Sequence, residues 1–298
     1  MAGLREMLRC EYPIMQGPIG ALNSPRLVAA ISEAGAFGML ALGFSGPEET
    51  KKLAGEVRGL TDKPFGANLM IMNPSNAEIL EILKDAGVTM VTTSVGAPSK
   101  IYPLIHALGM HGLHVVLSFP HAVKASRDGV DGLVVSGAES GGIRSVASES
   151  STMVLIPLVA DHVAVPIVAA GGIADARGYR AALALGAQGV QIGTRLIASE
   201  ESPAPQAWKE AIVACRDGGT TLLPLREMNT KMRVIVNQKM QDLLADPAAD
   251  VSKAFPFANA PKAWTTGDFD LFPAGAGQIA ALIQEIKPVK AIVAEMVS

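Results

Sequence analysis

Two glycine turns hold the residues best suited to chemistry in this chain. Gly171-Gly172 ends the apolar run Pro166 to Ala170, and Gly193-Thr194-Arg195 ends the apolar run Gly189 to Ile192. Glycine lets backbone approach a ligand with no Cβ in the way, and the second turn adds a hydroxyl and a guanidinium to its N–H groups. Between the turns, Asp175 opens a helix whose apolar positions Tyr179, Ala182, Leu183 and Leu185 recur at three to four residues, and Gly186 stands where a left-handed C-cap is needed. Strand, turn, helix, strand, turn sets two parallel strands side by side, each ending in donors. Such an arrangement is suited to cradling a phosphate.

Other chemistries find less support. No serine sits in a G-x-S-x-G elbow, and the five histidines, at 106, 111, 114, 121 and 162, lack metal-ligand spacing, so no metal site is expected. A phosphosugar would use the same cradle, but its reactions call for a lysine or carboxylate on an inner strand, and the predicted strands carry neither. In the long stretch Gly137 to Ser151, Glu139 and Arg144 are the candidate catalytic groups, and Arg195 is a second cation for an anionic ligand. A phosphate site with few acids and bases suits a phosphorylated redox cofactor, and FMN fits best. Its phosphate would rest on Gly171, Gly172, Gly193 and Thr194. Its ring would meet Met15, Gln16, Gly17 and Asn68, which offer a thioether and hydrogen-bonding groups.

The elements that must position these groups repeat one unit from Tyr12 to Leu196. Pro13 to Gln16, Gly38 to Leu42, Phe65 to Met70, Met90 to Val95, His114 to Phe119, Gly132 to Ser136, Pro166 to Ala170 and Gly189 to Ile192 read as strands. Helices are predicted over Pro25 to Ala34, Pro47 to Arg58, Asn76 to Ala86, Pro98 to Leu108, His121 to Arg127 and Thr152 to Val163. Eight such units without a break predict an α/β fold, a (β/α)8 TIM barrel. Residues 1–199 with 274–298 are expected to build the barrel, and 200–273 a small helical appendage in which Arg226, Lys231 and Arg233 lie on a helical stretch. Ala274 to Val297 reads as a glycine turn and one amphipathic helix.

Composition agrees with this class and narrows the partners. The 298 residues are 49% hydrophobic but only 4% aromatic, with 30 glycines, which suits parallel strands buried on both faces and joined by tight turns. A net charge of −3 gives no electrostatic basis for nucleic-acid binding. Two cysteines, Cys10 and Cys215, favour a reduced, cytoplasmic setting. Charges interrupt the N-terminal apolar residues, and no later apolar run is long enough to span a membrane. The expected partner is a small-molecule substrate; the oligomeric state, a homodimer included, is left open.

Six segments together resemble a known family: PIMQG at 13–17, FGANLM at 65–70, GAESGG at 137–142, PIVAAGGIADARG at 166–178, ALALGAQGVQIGTR at 182–195 and AGQIAALI at 276–283. They are similar to the nitronate monooxygenases, formerly 2-nitropropane dioxygenases, and to their relatives the FMN-dependent enoyl-acyl-carrier-protein reductases and NADH:quinone reductases. The resemblance implies a TIM barrel with FMN, in which Gln16, Gly17 and Asn68 contact the flavin. It also implies that Glu139, Ser140, Gly141 and Gly142 line the site, and that the two glycine turns, with Ala170 and Gln191 at the strand ends, hold the phosphate. NAD(P)H is an electron donor it admits. One departure stands out: where the family's loop carries a proton-transferring histidine, this chain has Ile143. Oxidation of a pre-formed nitronate would survive that change, whereas a neutral nitroalkane would lack its base, and enoyl reduction would need its proton from water or another group. Electron transfer to a quinone would need the least help from the protein. A barrel that binds but does not turn over is the remaining alternative.

Overall fold

The computed structural model describes residues 3–147 and 149–298. Short apolar segments form strands β1 (Ile14–Gln16), β2 (Gly38–Ala41), β3 (Phe65–Met70), β4 (Met90–Ser94), β5 (His111–Val116), β6 (Gly132–Ser136), β7 (Gly142–Arg144), β8 (Ile167–Ala170) and β9 (Gly189–Ile192). All but β7 lie in one sheet of eight parallel strands, ordered β1-β9-β8-β6-β5-β4-β3-β2. The sheet closes on itself between β1 and β2, where Phe37 N donates to Ile14 O at 2.8 Å and Gln16 N to Phe37 O at 2.9 Å. This is the expected TIM barrel.

Helices α1 (Leu4–Leu8), α2 (Pro25–Glu33), α3 (Pro47–Leu60), α4 (Asn76–Asp85), α5 (Tyr102–Ala107), α6 (Phe119–Arg127), α7 (Thr152–Ala160), α8 (Ala176–Ala184) and α9 (Thr194–Ile197) accompany the strands. The Asp175 carboxylate caps α8 by accepting from Arg177 N at 2.9 Å, and Gly186 follows the helix at φ +102°, the left-handed position its sequence predicts. Alternation of side chains along the strands creates two cores. Met15, Phe37, Met39, Met90, Leu113, Val134 and Val168 fill the barrel, and Leu4, Met7 and Leu8 of α1 join that cluster. Each such burial contributes about 2 kcal/mol. The larger core lies between the sheet and its helices.

Several boundaries differ from the sequence reading for local reasons. Helix α6 starts at Phe119, so β5 ends early: Ser118 Oγ accepts from His121 N at 3.4 Å and a proline occupies the first turn. The predicted helix Pro98 to Leu108 divides into a 3-10 turn at Pro98–Lys100 and α5, whose second residue, Pro103, has no N–H for a helical bond. Near the C-terminus, the single helix expected within Ala274 to Val297 is a 3-10 segment at Gln278–Leu282 followed later by an α-helix at Val289–Val297.

The region 200–273 is not wholly helical. After α10 (Gln206–Ala214), β10 (Thr220–Leu225) and β11 (Thr230–Ile235) form an antiparallel hairpin. Lys231 and Arg233 therefore lie on a strand and Arg226 in the 3-10 turn between strands, where Asn229 takes φ +48°. Threonine and branched residues on both arms favour this pairing over a helix. Strand β7 adds to β11, with Ile143 opposite Met232, so the stretch 137–151 contains a strand rather than being a free loop. Helices α11 (Gln238–Ala245), α12 (Val251–Ala254) and α13 (Ala260–Thr266) cover the hairpin around Leu223, Met232, Phe255 and Phe272, and α14 (Val289–Val297) packs back against α2 and α8. Among the described residues no helix is long and apolar enough to cross a membrane.

Candidate active site

The ends of β8 and β9 come together as their register requires, Ala170 lying opposite Gln191. Gly171 and Gly172 both have positive φ, +100° and +73°, which a side chain would strain. A Cβ on Gly171 would also fall 2.3 Å from Ser140 Oγ, whereas one on Gly193 would meet only Ile19 Cδ1, at 3.9 Å. Among the described residues, the N–H groups of Gly172, Gly193 and Thr194 have no protein acceptor. Thr194 Oγ1 accepts from Gly277 N at 2.9 Å and keeps its own hydrogen for a ligand. Uncovered donors over open glycine backbone are what a phosphate monoester requires, so these residues fit that part of FMN.

Gly17 continues β1 beside this cradle, its N–H donating to Ile192 O at 2.7 Å. Asn68 Nδ2 donates to Thr92 Oγ1 at 2.9 Å, which fixes the amide near the end of β3. One expected ring contact, Met15, is corrected, and Gln16 keeps only its amide nitrogen free for the other. The Met15 thioether is fully buried in the barrel interior, and Gln16 turns its carbonyl to Met39 N at 2.9 Å. Gln191 Nε2 reaches Gln16 O at 3.4 Å, tying β9 to β1.

The loop after β6 is internally bound. Both Glu139 oxygens accept from Thr152 N, at 3.1 and 2.9 Å, and Oε2 also accepts from Thr152 Oγ1 at 2.9 Å. The carboxylate thus caps α7 and is no free acid or base. Arg144 is 1% exposed, donates to Ser136 Oγ and O at 2.8 and 3.2 Å, and pairs with Glu149 at 3.0 Å. Arg195 donates to Glu285 O and Ala198 O. Neither guanidinium faces a substrate, which corrects the expectation that they might. Ser140 accepts from Ser136 Oγ at 2.8 Å, and Gly141 presses on the Ala276-Gly277 backbone, a Cβ there falling 2.8 Å from Gly277 N. Gly142 has φ +78°, and Ile143 next to it is exposed.

Comparison with known proteins places this geometry. A family model described as nitronate monooxygenase matches residues 2–86 and 76–298. The chain belongs to the nitronate monooxygenase family. A nitronate monooxygenase of Pseudomonas aeruginosa is 31% identical, with 94% of each chain covered. FabK of Thermotoga maritima is 34% identical and superposes with a TM-score of 0.88 over 98% of this chain and 94% of its own. A nitroalkane oxidase of Streptomyces ansochromogenes, 24% identical, shares the fold with a TM-score of 0.83 over 99% of this chain and 96% of its own.

Within this family member, the histidines do not take the place of Ile143 on β7. His114 points away from the barrel interior, since Leu113 points into it. Its Nδ1 lies 2.8 Å from Thr93 Oγ1 and its Nε2 3.3 Å from His121 Nε2. Burial, and secondarily His121, lowers its pKa to about 4. Sequence reasoning passed over Glu149, Ser136, Thr152 and Thr92, which hold the groups it named. Glu149 was legible as a second acid in the same loop. Gly277 was legible only as part of a glycine-rich run, because its contact with the loop joins residues distant in the chain.

Proposed function

We propose that this member of the family is an FMN-dependent oxidoreductase that oxidises an alkyl nitronate or a similar anion, with oxygen as acceptor. The observation that carries the reading is the set of uncovered N–H groups at Gly172, Gly193 and Thr194. Gly171, Gly172, Gly193 and Thr194 would hold the phosphate, beside Ala170 and Gln191, while Gly17 and Asn68 would border the ring. FMN bound there supplies two-electron redox chemistry that the side chains lack.

The chain's own part is to bind and orient. Thr92 fixes Asn68, and Ser136 fixes Ser140. Ile143 can accept no proton, so the substrate must arrive with its carbon already deprotonated, as a nitronate does. With Arg144 and Arg195 enclosed, its charge is left to other donors.

A second reading, NAD(P)H-dependent reduction of an enoyl thioester or quinone, draws support from the 34% identity to FabK, while the uncharged loops at the mouth suit an apolar acyl chain or quinone rather than a nicotinamide cofactor's phosphates. Residues 42–46, 71–75, 95–97 and 117–118, which follow β2 to β5, include no Asp, Glu, Lys or Arg. Anaerobic mixing separates the readings: bleaching of the flavin band by alkyl nitronate alone supports oxidation, and rapid bleaching by NADH or NADPH supports reduction. A colourless protein that does not take up FMN would sink both.

A further inference from the structure

Three consecutive strands of the barrel end in loops that each turn a large apolar side chain to solvent. Phe44, after β2, is 83% exposed; Met72, after β3, 68%; Val95, after β4, 51%. Isolated exposed apolar residues are ordinary, but these three stand on neighbouring strands at the end where barrel active sites form. The loops are also bound to one another. Asn73 Nδ2 donates to Ser45 O at 3.0 Å, and Ile71 N to Ser94 O at 2.9 Å. A Cβ on Gly96 would fall 2.7 Å from Ile71 Cβ, and one on Gly43 2.7 Å from Met70 Cγ, so glycine at each position lets neighbouring loops touch. The exposed side chains therefore stand on a connected rim.

Val95 adds a second, independent observation. Its φ is +53°, and Gly96 follows at +141°. A β-branched residue in the left-handed region is a conformational outlier, and such strain persists where surrounding structure imposes it, commonly at functional sites. Glycine would relieve it at once, and because half of the side chain is exposed, packing does not fully explain why valine is there.

We propose that Val95, with Phe44 and Met72, forms the specificity-determining wall of the active-site mouth and selects substrates that carry an uncharged alkyl or aryl body away from the reacting carbon. The inference rests on the oxidoreductase reading for the identity of the reaction, but not for the existence of the wall. The left-handed turn at Val95 sets the direction in which the branched side chain leaves the rim. Charge plays no part in selection here, since residues 42–46, 71–75 and 95–97 carry none.

The test uses the purified full-length protein and the variants V95G, F44A and M72A. Initial rates with nitronates of nitroethane to nitrohexane give kcat/KM against chain length. The wild type is expected to gain about fourfold per methylene, the size of one buried CH2, and each variant to lose much of that gain. Nile red, a neutral apolar probe, gives a readout that needs no flavin: affinity should fall about tenfold in the F44A/M72A/V95G variant. Thermal unfolding of V95G should show a midpoint raised by about 2 °C, since relieving strain of this kind stabilises. Unchanged chain-length slopes, unchanged Nile red affinity or a lowered V95G midpoint would each overturn the proposal. Protein that binds no FMN would overturn the functional reading alone, because the Nile red and melting experiments would still decide the wall.

Discussion

The side-chain carbonyl of Gln16 accepts the backbone N–H of Met39 at 2.9 Å, so a side chain takes over from the backbone in closing the barrel between β1 and β2. Asn23 continues the same seam, its amide exchanging bonds with Ala41 N and O at 3.1 and 3.2 Å. Replacing Gln16 by Met keeps the volume but leaves a buried N–H without an acceptor. The expected loss is about 1–3 kcal/mol in urea unfolding. Full stability in Q16M would show that another group, or water, satisfies Met39.

The open space over Gly193 lets the proposed FMN site be tested apart from folding. G193A should unfold within about 0.5 kcal/mol of wild type, because the new methyl meets only Ile19 at van der Waals distance. Its FMN content after purification should drop sharply, since the methyl occupies the approach to the N–H groups. Normal flavin content in G193A would mean that the phosphate lies elsewhere.

Ile143 tests what the mouth can do with a proton. It lies between Gly142 and Arg144 on β7, paired to β11, so a side chain there has a well-held backbone. I143H should raise turnover of neutral nitroalkanes by about 10²-fold, the lower range for a positioned acid–base group, while leaving nitronate oxidation nearly unchanged. No gain in a variant with normal flavin content would show that position 143 does not face the reacting carbon.

Much of the architecture could be read before the structure, and the limits had physical causes. The barrel was legible because each strand is a short apolar run followed by a turn and a helix, a local signal. That the turns at Gly171-Gly172 and Gly193-Thr194 lie side by side was legible from the strand-helix-strand pattern. The roles of Glu139, Arg144 and Arg195 were not. Charged residues on glycine-rich loops look free in a sequence, and only the tertiary structure reveals Thr152, Glu149 and Glu285 as their partners. The pairing of β11 with β7 was missed because it joins segments far apart in the chain.

The Arg144–Glu149 pair is enclosed, its side chains 1% and 7% exposed, and breaking it one side at a time should be costly. R144M leaves the Glu149 carboxylate buried without its partner, and a loss of about 3–5 kcal/mol is expected in chemical denaturation. The double variant R144M/E149L should recover part of it. A double variant no more stable than R144M would mean that the Arg144 bonds to Ser136, rather than the ion pair, hold the loop.

His114 should make folding sensitive to mild acid. Its pKa falls from an ordinary 6.5 to about 4 because it is buried and faces His121. Between those values the unfolded chain binds a proton that the folded chain does not. Stability is therefore full above about pH 6.5 and declines as pH falls toward 4, by about 3 kcal/mol if the whole shift is expressed. His121, also lowered by burial, acts in the same direction. Urea unfolding from pH 4.5 to 7.5 should show this slope, and H114Q should flatten it. Equal slopes would assign the acid sensitivity to other groups.

The stretch after β6 is clasped by parts of the chain made much later: Gly142 to Arg144 by β11, and Glu139 O by Gln278 N at 2.9 Å. During synthesis, the glycine turns of β8 and β9 emerge while this clasp is still missing. A ribosome-bound chain can therefore form most of its barrel well before the mouth is finished, and segments so distant in sequence join slowly. Chains truncated before residue 278 should be folded in large part yet lack this clasp, so if the proposed FMN site is correct its uptake would come last.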